Sequence, residues 1–293
     1  PLENPKVRAG VCLDCHFGST AQGQFVNHRI MAAGHPRISF ELDLFSSLQQ
    51  HHDEDTDYAA RKGRTDHVQL WAVGQALALK RSLDLYASAS RGTEGAFPEF
   101  YFFDCHSCHR RIYDQADAVK TGANNPGRPI PEGMPPYNDE NMIMLSAAAR
   151  ITAPASAGQF DKASKDFHAA LALDRSSAIA AARRLSIAAD NLADDFASGS
   201  FGSGQAFAII DIIATDAIAA RLTDYEGSVQ AVMAVDTLLS AIVRSGNITQ
   251  GAAAGIRANV NRAYNAVRDP NAYRPSEFRS SIGAAASAVR SLR

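Results

Sequence analysis

The chain has 293 residues, 46% hydrophobic and 20% charged, enough apolar material for a sizeable core in about two domains at ~150 residues each. Lys and Arg total 29 against 31 Asp and Glu, so the net charge of −2 excludes the basic excess of a general nucleic-acid binder. No apolar run approaches the ~20 residues of a membrane span, and Pro1 opens directly onto polar sequence, so a processed form or fragment is expected, its export signal removed.

In chain order, Cys12-Leu13-Asp14-Cys15-His16 comes first. Ile30 to Gln50 carries Phe40, Leu44 and Leu48 at helical spacing, and polar His51 to Arg64 reads as an exposed loop. His67 to Ala87, with Leu70, Trp71, Leu77, Leu83 and Leu85, predicts a long amphipathic helix. An aromatic run (Phe97, Phe100, Tyr101, Phe102, Phe103) precedes Cys105-His106-Ser107-Cys108-His109, and the Pro/Gly/Asn-rich stretch Thr121 to Asn138 reads as a long loop. Residues 1–145 hold every cysteine and eight of the nine histidines; residues 146–293 are alanine-rich. That second part predicts helices near 157–173, 175–198, 204–222, 225–245, 248–268 and 275–291. In the fourth, Val229, Val232, Val235, Leu239 and Ile242 form one apolar stripe, with Gly246 as a C-terminal stop. The expected fold is all-α: a haem-packed helical region, 1–145, followed by an antiparallel helical bundle, 146–293.

All four cysteines fall in two Cys-x-x-Cys-His motifs, the attachment sequence for c-type haem. Two thiols three positions apart on one helical turn reach the two vinyl groups on one porphyrin edge, and the next residue, histidine, comes under the iron. A zinc ribbon would separate its pairs by ~15–20 residues, not by the interval from Cys15 to Cys105. A thioredoxin-like motif needs strand-like flanks, and disulfides this local would add little loop-closure stability. Two c-type haems are expected, on Cys12, Cys15, Cys105 and Cys108 with His16 and His109 as proximal ligands. Because this attachment generally takes place outside the cytoplasm, a periplasmic or extracellular location follows from the cofactor.

Function turns on the sixth ligand: a second histidine or a methionine favours electron transfer, whereas an empty position lets a small molecule react. His28 and His35 are the leading local candidates. A helix continuous through both would set them two turns apart on one face, ~10 Å along the axis, suited to two neighbouring irons; Pro36 could instead start a helix and leave His35 in the preceding turn. His51, His52, His67, His106 and Met134 rank lower, and Met31, Met142 and Met144 read as core.

The run Asn27-His28 through Ala32-Ala33-Gly34-His35-Pro36-Arg37, then Phe40-Glu41-Leu42, resembles the multihaem cytochromes c related to the tetrahaem cytochrome of ammonia oxidisers. Trp71-Ala72-Val73-Gly74-Gln75 followed by Asp104-Cys105 to His109 fits the same group, and the resemblance covers roughly residues 10–145. It implies helical structure, closely packed haems, histidine-rich axial ligation and electron transfer, with His28 or His35 as distal ligands. Members often carry further motifs upstream, which leaves the pairing of each histidine with each iron open.

The leading expectation is therefore an extracytoplasmic dihaem electron carrier serving redox partner proteins, with no bond-making by the protein. The alternative is a haem enzyme or gas sensor (peroxidase or nitrogen-oxide chemistry) with one open iron, lined by groups such as Arg37, Tyr101 or His67. The helical half could also be a docking or oligomerisation module within a larger conduit.

Overall fold

The computed structural model describes residues 3–35, 37–51, 53–94, 98–109, 128, 130–131, 134–219 and 224–292. The chain is all-helical. Among the described residues lie α1 (Pro5–His16), α2 (His28–Ala32), α3 (Leu42–Leu48), α4 (Thr56–Lys62), α5 (His67–Ala87) and α6 (Glu140–Thr152). They are followed by α7 (Pro154–Leu171), α8 (Arg175–Ser198), α9 (Ser203–Ile218), α10 (Tyr225–Arg244), α11 (Gln250–Ala266) and α12 (Pro275–Arg290). The sole strand-like pairing among these residues is an isolated bridge between Phe103 and Tyr137.

α5 is the pillar of the core. Trp71, Ala76, Leu79 and Leu83 are fully or almost fully shielded, and the helix packs on α1, α3, α6, α8 and α10. Its closest partnership is with α8, where Ala178, Ala181, Ala182, Leu185, Ala189, Leu192, Ala193 and Phe196 line a buried stripe at helical spacing. Small alanines let the two backbones approach, and Leu185, Leu192 and Phe196 supply apolar area, roughly 1.5–3 kcal/mol for each large side chain buried. The compositional change at residue 145 falls inside α6, and one apolar cluster runs from Ala9 to Val289.

The bundle helices fall close to their predicted spans. α8 starts where Asp174 accepts from the backbone N–H of Ser177, at 2.8 Å. In α10, Val232, Val235, Leu239 and Ile242 of the predicted stripe are buried and Val229 is half-buried. The helix stops at Gly246, whose positive φ of 77° lets the Asn247 N–H return to the Ile242 carbonyl at 3.2 Å. By length and composition α10 does meet the requirement for a membrane span, contrary to the sequence expectation, but 83% of its apolar window is buried among neighbouring helices.

The structure corrects three sequence expectations. The helix expected over Ile30–Gln50 is two short helices, α2 and α3, in place of one continuous element. Gly34 adopts φ 101°, which ends α2 after little more than a turn, so His28 and His35 do not share a helical face. The loop expected over His51–Arg64 contains α4, capped by Asp55 on the Tyr58 N–H at 2.8 Å and braced by an Asp57–Arg61 ion pair. α6 begins directly after the loop expected over Thr121–Asn138, most of which lies outside the described residues.

Candidate functional site

The first motif occupies the last turns of α1. Asn4 caps the helix by accepting from the N–H groups of Lys6 and Val7, and Pro5 sits in its first turn, where its missing N–H costs nothing. Ala9 and Leu13 turn inward, and Arg81 of α5 holds Asp14 at 2.6 Å and the Gly18 carbonyl at 2.9 Å. The opposite face is unusual for a surface helix. Val7 and Val11 are 45% and 56% exposed and share the i, i+4, i+8 stripe with exposed Cys15. Beside it, Cys12 is half-buried, and the His16 ring is stacked on Phe40 at 4.8 Å between centroids.

The second motif begins in a 3₁₀ turn, Cys105–Ser107, capped by Asp104, whose Oδ2 accepts from the Ser107 N–H and hydroxyl at 2.8 Å. Cys108 and His109 are exposed, and Cys105 is half-buried. His106 turns away toward the bundle, with Nδ1 2.5 Å from the Pro270 carbonyl oxygen and its ring edge-on to Tyr273.

Opposite His109 stands His28. The ring centroids are 6.2 Å apart and the planes are inclined at 43°. Two imidazoles on opposite sides of one metal ion, each bonded at about 2.0 Å with the ring centre about 1.1 Å further on, have centres about 6.2 Å apart. The His28–His109 centroid separation matches that distance, and it also lies within the 4.5–7 Å range of ordinary packed rings. His28 is delivered by the first residue of α2 and held from outside that helix. The buried Glu99 carboxylate accepts from the His28 N–H at 2.8 Å and from the Tyr101 N–H at 3.2 Å, and Phe100 lies edge-on to the His28 ring. A single side chain thus fastens α2 to the aromatic segment that leads into the second motif.

Next to Cys105 lies a buried charged cluster. Arg37 bridges Glu140 at 2.6 Å and Glu226 at 2.9 Å, with all three side chains at most 7% exposed. The Cys105 thiol donates to Glu226 at 3.1 Å, and burial followed by the Glu226 charge pushes that thiol up to about 12. A second buried guanidinium, Arg128, pairs with Asp139 and Asp224. The N-termini of α6 and α10 carry these acids (Asp139 and Glu140; Asp224 and Glu226), where aligned peptide dipoles favour negative charge.

Of the residues weighed as lining an open iron, each faces protein. Arg37 is neutralised by the two glutamates and lies 5.0 Å over the Tyr101 ring; Tyr101 is buried; and His67 Nδ1 is 2.8 Å from Asp43. His35 is exposed in the turn after α2, as is His51 after α3, while His52 and Phe97 lie outside the described residues. Met142 and Met144 are core, and Met31 and Met134 pack half-buried against it. The thiols form no disulfide, and among the described residues no three of His, Cys, Asp and Glu are gathered to hold a metal ion, so the cysteines do not build a tetrahedral site. A cleft of about 550 Å³ between α4, α5, α9 and α10, lined by Glu54, Arg64, His67, Phe201 and Arg244, contains none of the motif residues.

No protein-family model, curated protein or solved structure matches the chain.

Proposed function

We propose that the chain is an extracytoplasmic dihaem c-type cytochrome that passes electrons between redox partner proteins. The two Cys-x-x-Cys-His motifs motivate the reading, and the 6.2 Å opposition of His28 and His109 carries it. Cys12 and Cys15 would hold one haem with His16 as proximal ligand. Cys105 and Cys108 would hold the other, between His109 and His28. Bound there, the haems supply iron that cycles between the ferrous and ferric states.

The chain's own residues do the rest. Glu99 holds the backbone N–H of His28 and Phe100 packs edge-on to its ring; a distal imidazole bound there would close that side of the iron to a small molecule. The exposed Val7 and Val11 beside Cys15, and Phe100 at 49% exposure beside His28, are apolar surface that a porphyrin would cover. Among the described residues, six of the ten large exposed hydrophobic residues (Val7, Val11, Ile30, Ile38, Leu48 and Phe100) fall within residues 1–145.

The test is to count covalent haem in the exported protein by its alkaline pyridine spectrum. Wild type should carry two haems per chain, and Cys105→Ser/Cys108→Ser should carry one. A wild-type protein that exports, folds and carries none contradicts the reading.

A further inference from the structure

The cluster beside Cys105 has more acid than base. Five buried carboxylates, Asp104, Asp139, Glu140, Asp224 and Glu226, meet two buried guanidiniums, Arg37 and Arg128. His168, 1% exposed, adds a titratable ring 3.2 Å from Asp139. Not all five acids can stay ionised in so dry a place, since an unpaired buried charge protonates rather than persists. Two of these acids have buried oxygens without a hydrogen-bond partner, Asp139 and Glu140 (Oε2); Asp139 lies against Arg128 and His168, whereas Glu140, whose Oε1 takes the Arg37 contact, shares that guanidinium with the Glu226 that touches Cys105.

The same cluster touches the cofactor's attachment point. Glu226 is 3.1 Å from Cys105 Sγ, and both glutamates share Arg37. A porphyrin joined to Cys105 is thus one thioether bond from an atom in contact with the cluster. Resting on the dihaem reading, we propose that Glu140 is a redox-linked proton acceptor, taking up one proton from solvent when the iron between His28 and His109 gains one electron from a one-electron donor. The ferric ion becomes ferrous, and the carboxylate becomes a carboxylic acid, so the buried region gains no net charge. Across the Glu140 carboxyl, Arg37 holds the charge of Glu226, Ser39 donates to Glu226 at 3.0 Å, and Tyr101 lies under the guanidinium. Asp104 and the Arg128–Asp139–Asp224 group flank the cluster on the α10 and α6 sides. Burial, offset by Arg37 and reinforced by Glu226, places Glu140 at about 7, so its charge is poised at neutral pH.

The experiment is spectroelectrochemistry of the holoprotein from about pH 5.5 to pH 8.5 in wild type, Glu140→Gln and Glu140→Asp. In wild type one of the two haem waves should fall in potential as pH rises, approaching about 59 mV for each tenfold change in proton activity, the limit for one proton per electron. That wave should flatten in Glu140→Gln and keep its slope in Glu140→Asp. Equal slopes in wild type and Glu140→Gln would place the proton elsewhere, for instance on haem propionates, and overturn the proposal, as would flat wild-type waves. Should Glu140→Gln fail to fold, the reduced-minus-oxidised infrared difference spectrum of wild type decides: a deuterium-sensitive carboxylic C=O band on reduction is expected, and its absence overturns the proposal. Failure of the dihaem reading shows separately, as missing covalent haem.

Discussion

Glutamine at position 41 isolates the cost of one buried charge. Glu41 is 1% exposed; it caps α3 by accepting from the N–H groups of Asp43 at 2.9 Å and Leu44 at 2.6 Å, and it accepts from the Thr237 hydroxyl at 2.8 Å. Burial, with the neighbouring Asp43 adding to it, raises its pKa from 4.5 to about 8. Between those values the folded chain holds a proton that the unfolded chain has released. Stability from this group is therefore fully present below the unfolded pKa and is lost as pH rises through the folded one. At about 1.36 kcal/mol per unit the full span is about 5 kcal/mol, and water entering on ionisation lowers it to about 2–5 kcal/mol. Glu41→Gln cannot ionise, so its stability relative to wild type should improve by that amount between about pH 5 and about pH 9. For a chain of this size the melting-temperature difference should grow by roughly 4–10 °C. His67 and Arg244, which face Asp43, are present in both proteins and cancel. Thermal unfolding followed by circular dichroism at the two pH values reads the effect. A constant offset between variant and wild type would refute the reasoning.

Two further substitutions test how the fold holds the site. Gly74→Ala in α5 gains about 1 kcal/mol of helix propensity, but its Cβ would meet Leu42 Cβ at 2.8 Å. A net loss of about 1–3 kcal/mol is expected, and a raised unfolding midpoint in urea would count against the α3–α5 packing. Glu99→Ala strips the acceptor from the N–H groups of His28 and Tyr101 and should cost about 1–3 kcal/mol. It should also let carbon monoxide reach one ferrous haem in part of the population, read as a fractional shift of the Soret band; an unchanged spectrum would deny Glu99 its positioning role.

Local patterns carried much of this fold into view. α8, α10 and α12 were readable because each keeps apolar residues at helical spacing between recognisable ends, such as Asp174 before α8 and Gly246 after α10. The motif cysteines were equally plain, being contiguous. What was hidden was non-local or ambiguous. Phe40, Leu44 and Leu48 keep helical spacing, yet Gly34 breaks the chain before them. α6 begins with buried Glu140 and Asn141, polar residues that periodicity assigns to the surface and that only partners at positions 37 and 75 make tolerable. The His28–His109 pairing depends on Glu99 reaching from one segment to another, and the acid cluster draws its members from positions 37 to 226. No spacing within a single segment announces either.

The dihaem function proposed for this chain requires His28 and His109 to share one iron. The most direct measurement is the ferrous absorption spectrum with and without carbon monoxide, for wild type and His28→Ala with haem content matched. The haem on Cys105 and Cys108 should be closed to carbon monoxide in wild type and open in the variant, so the variant should bind one more equivalent per chain. A variant that binds no more carbon monoxide than wild type, with both haems still attached, would show that His28 is not the sixth ligand.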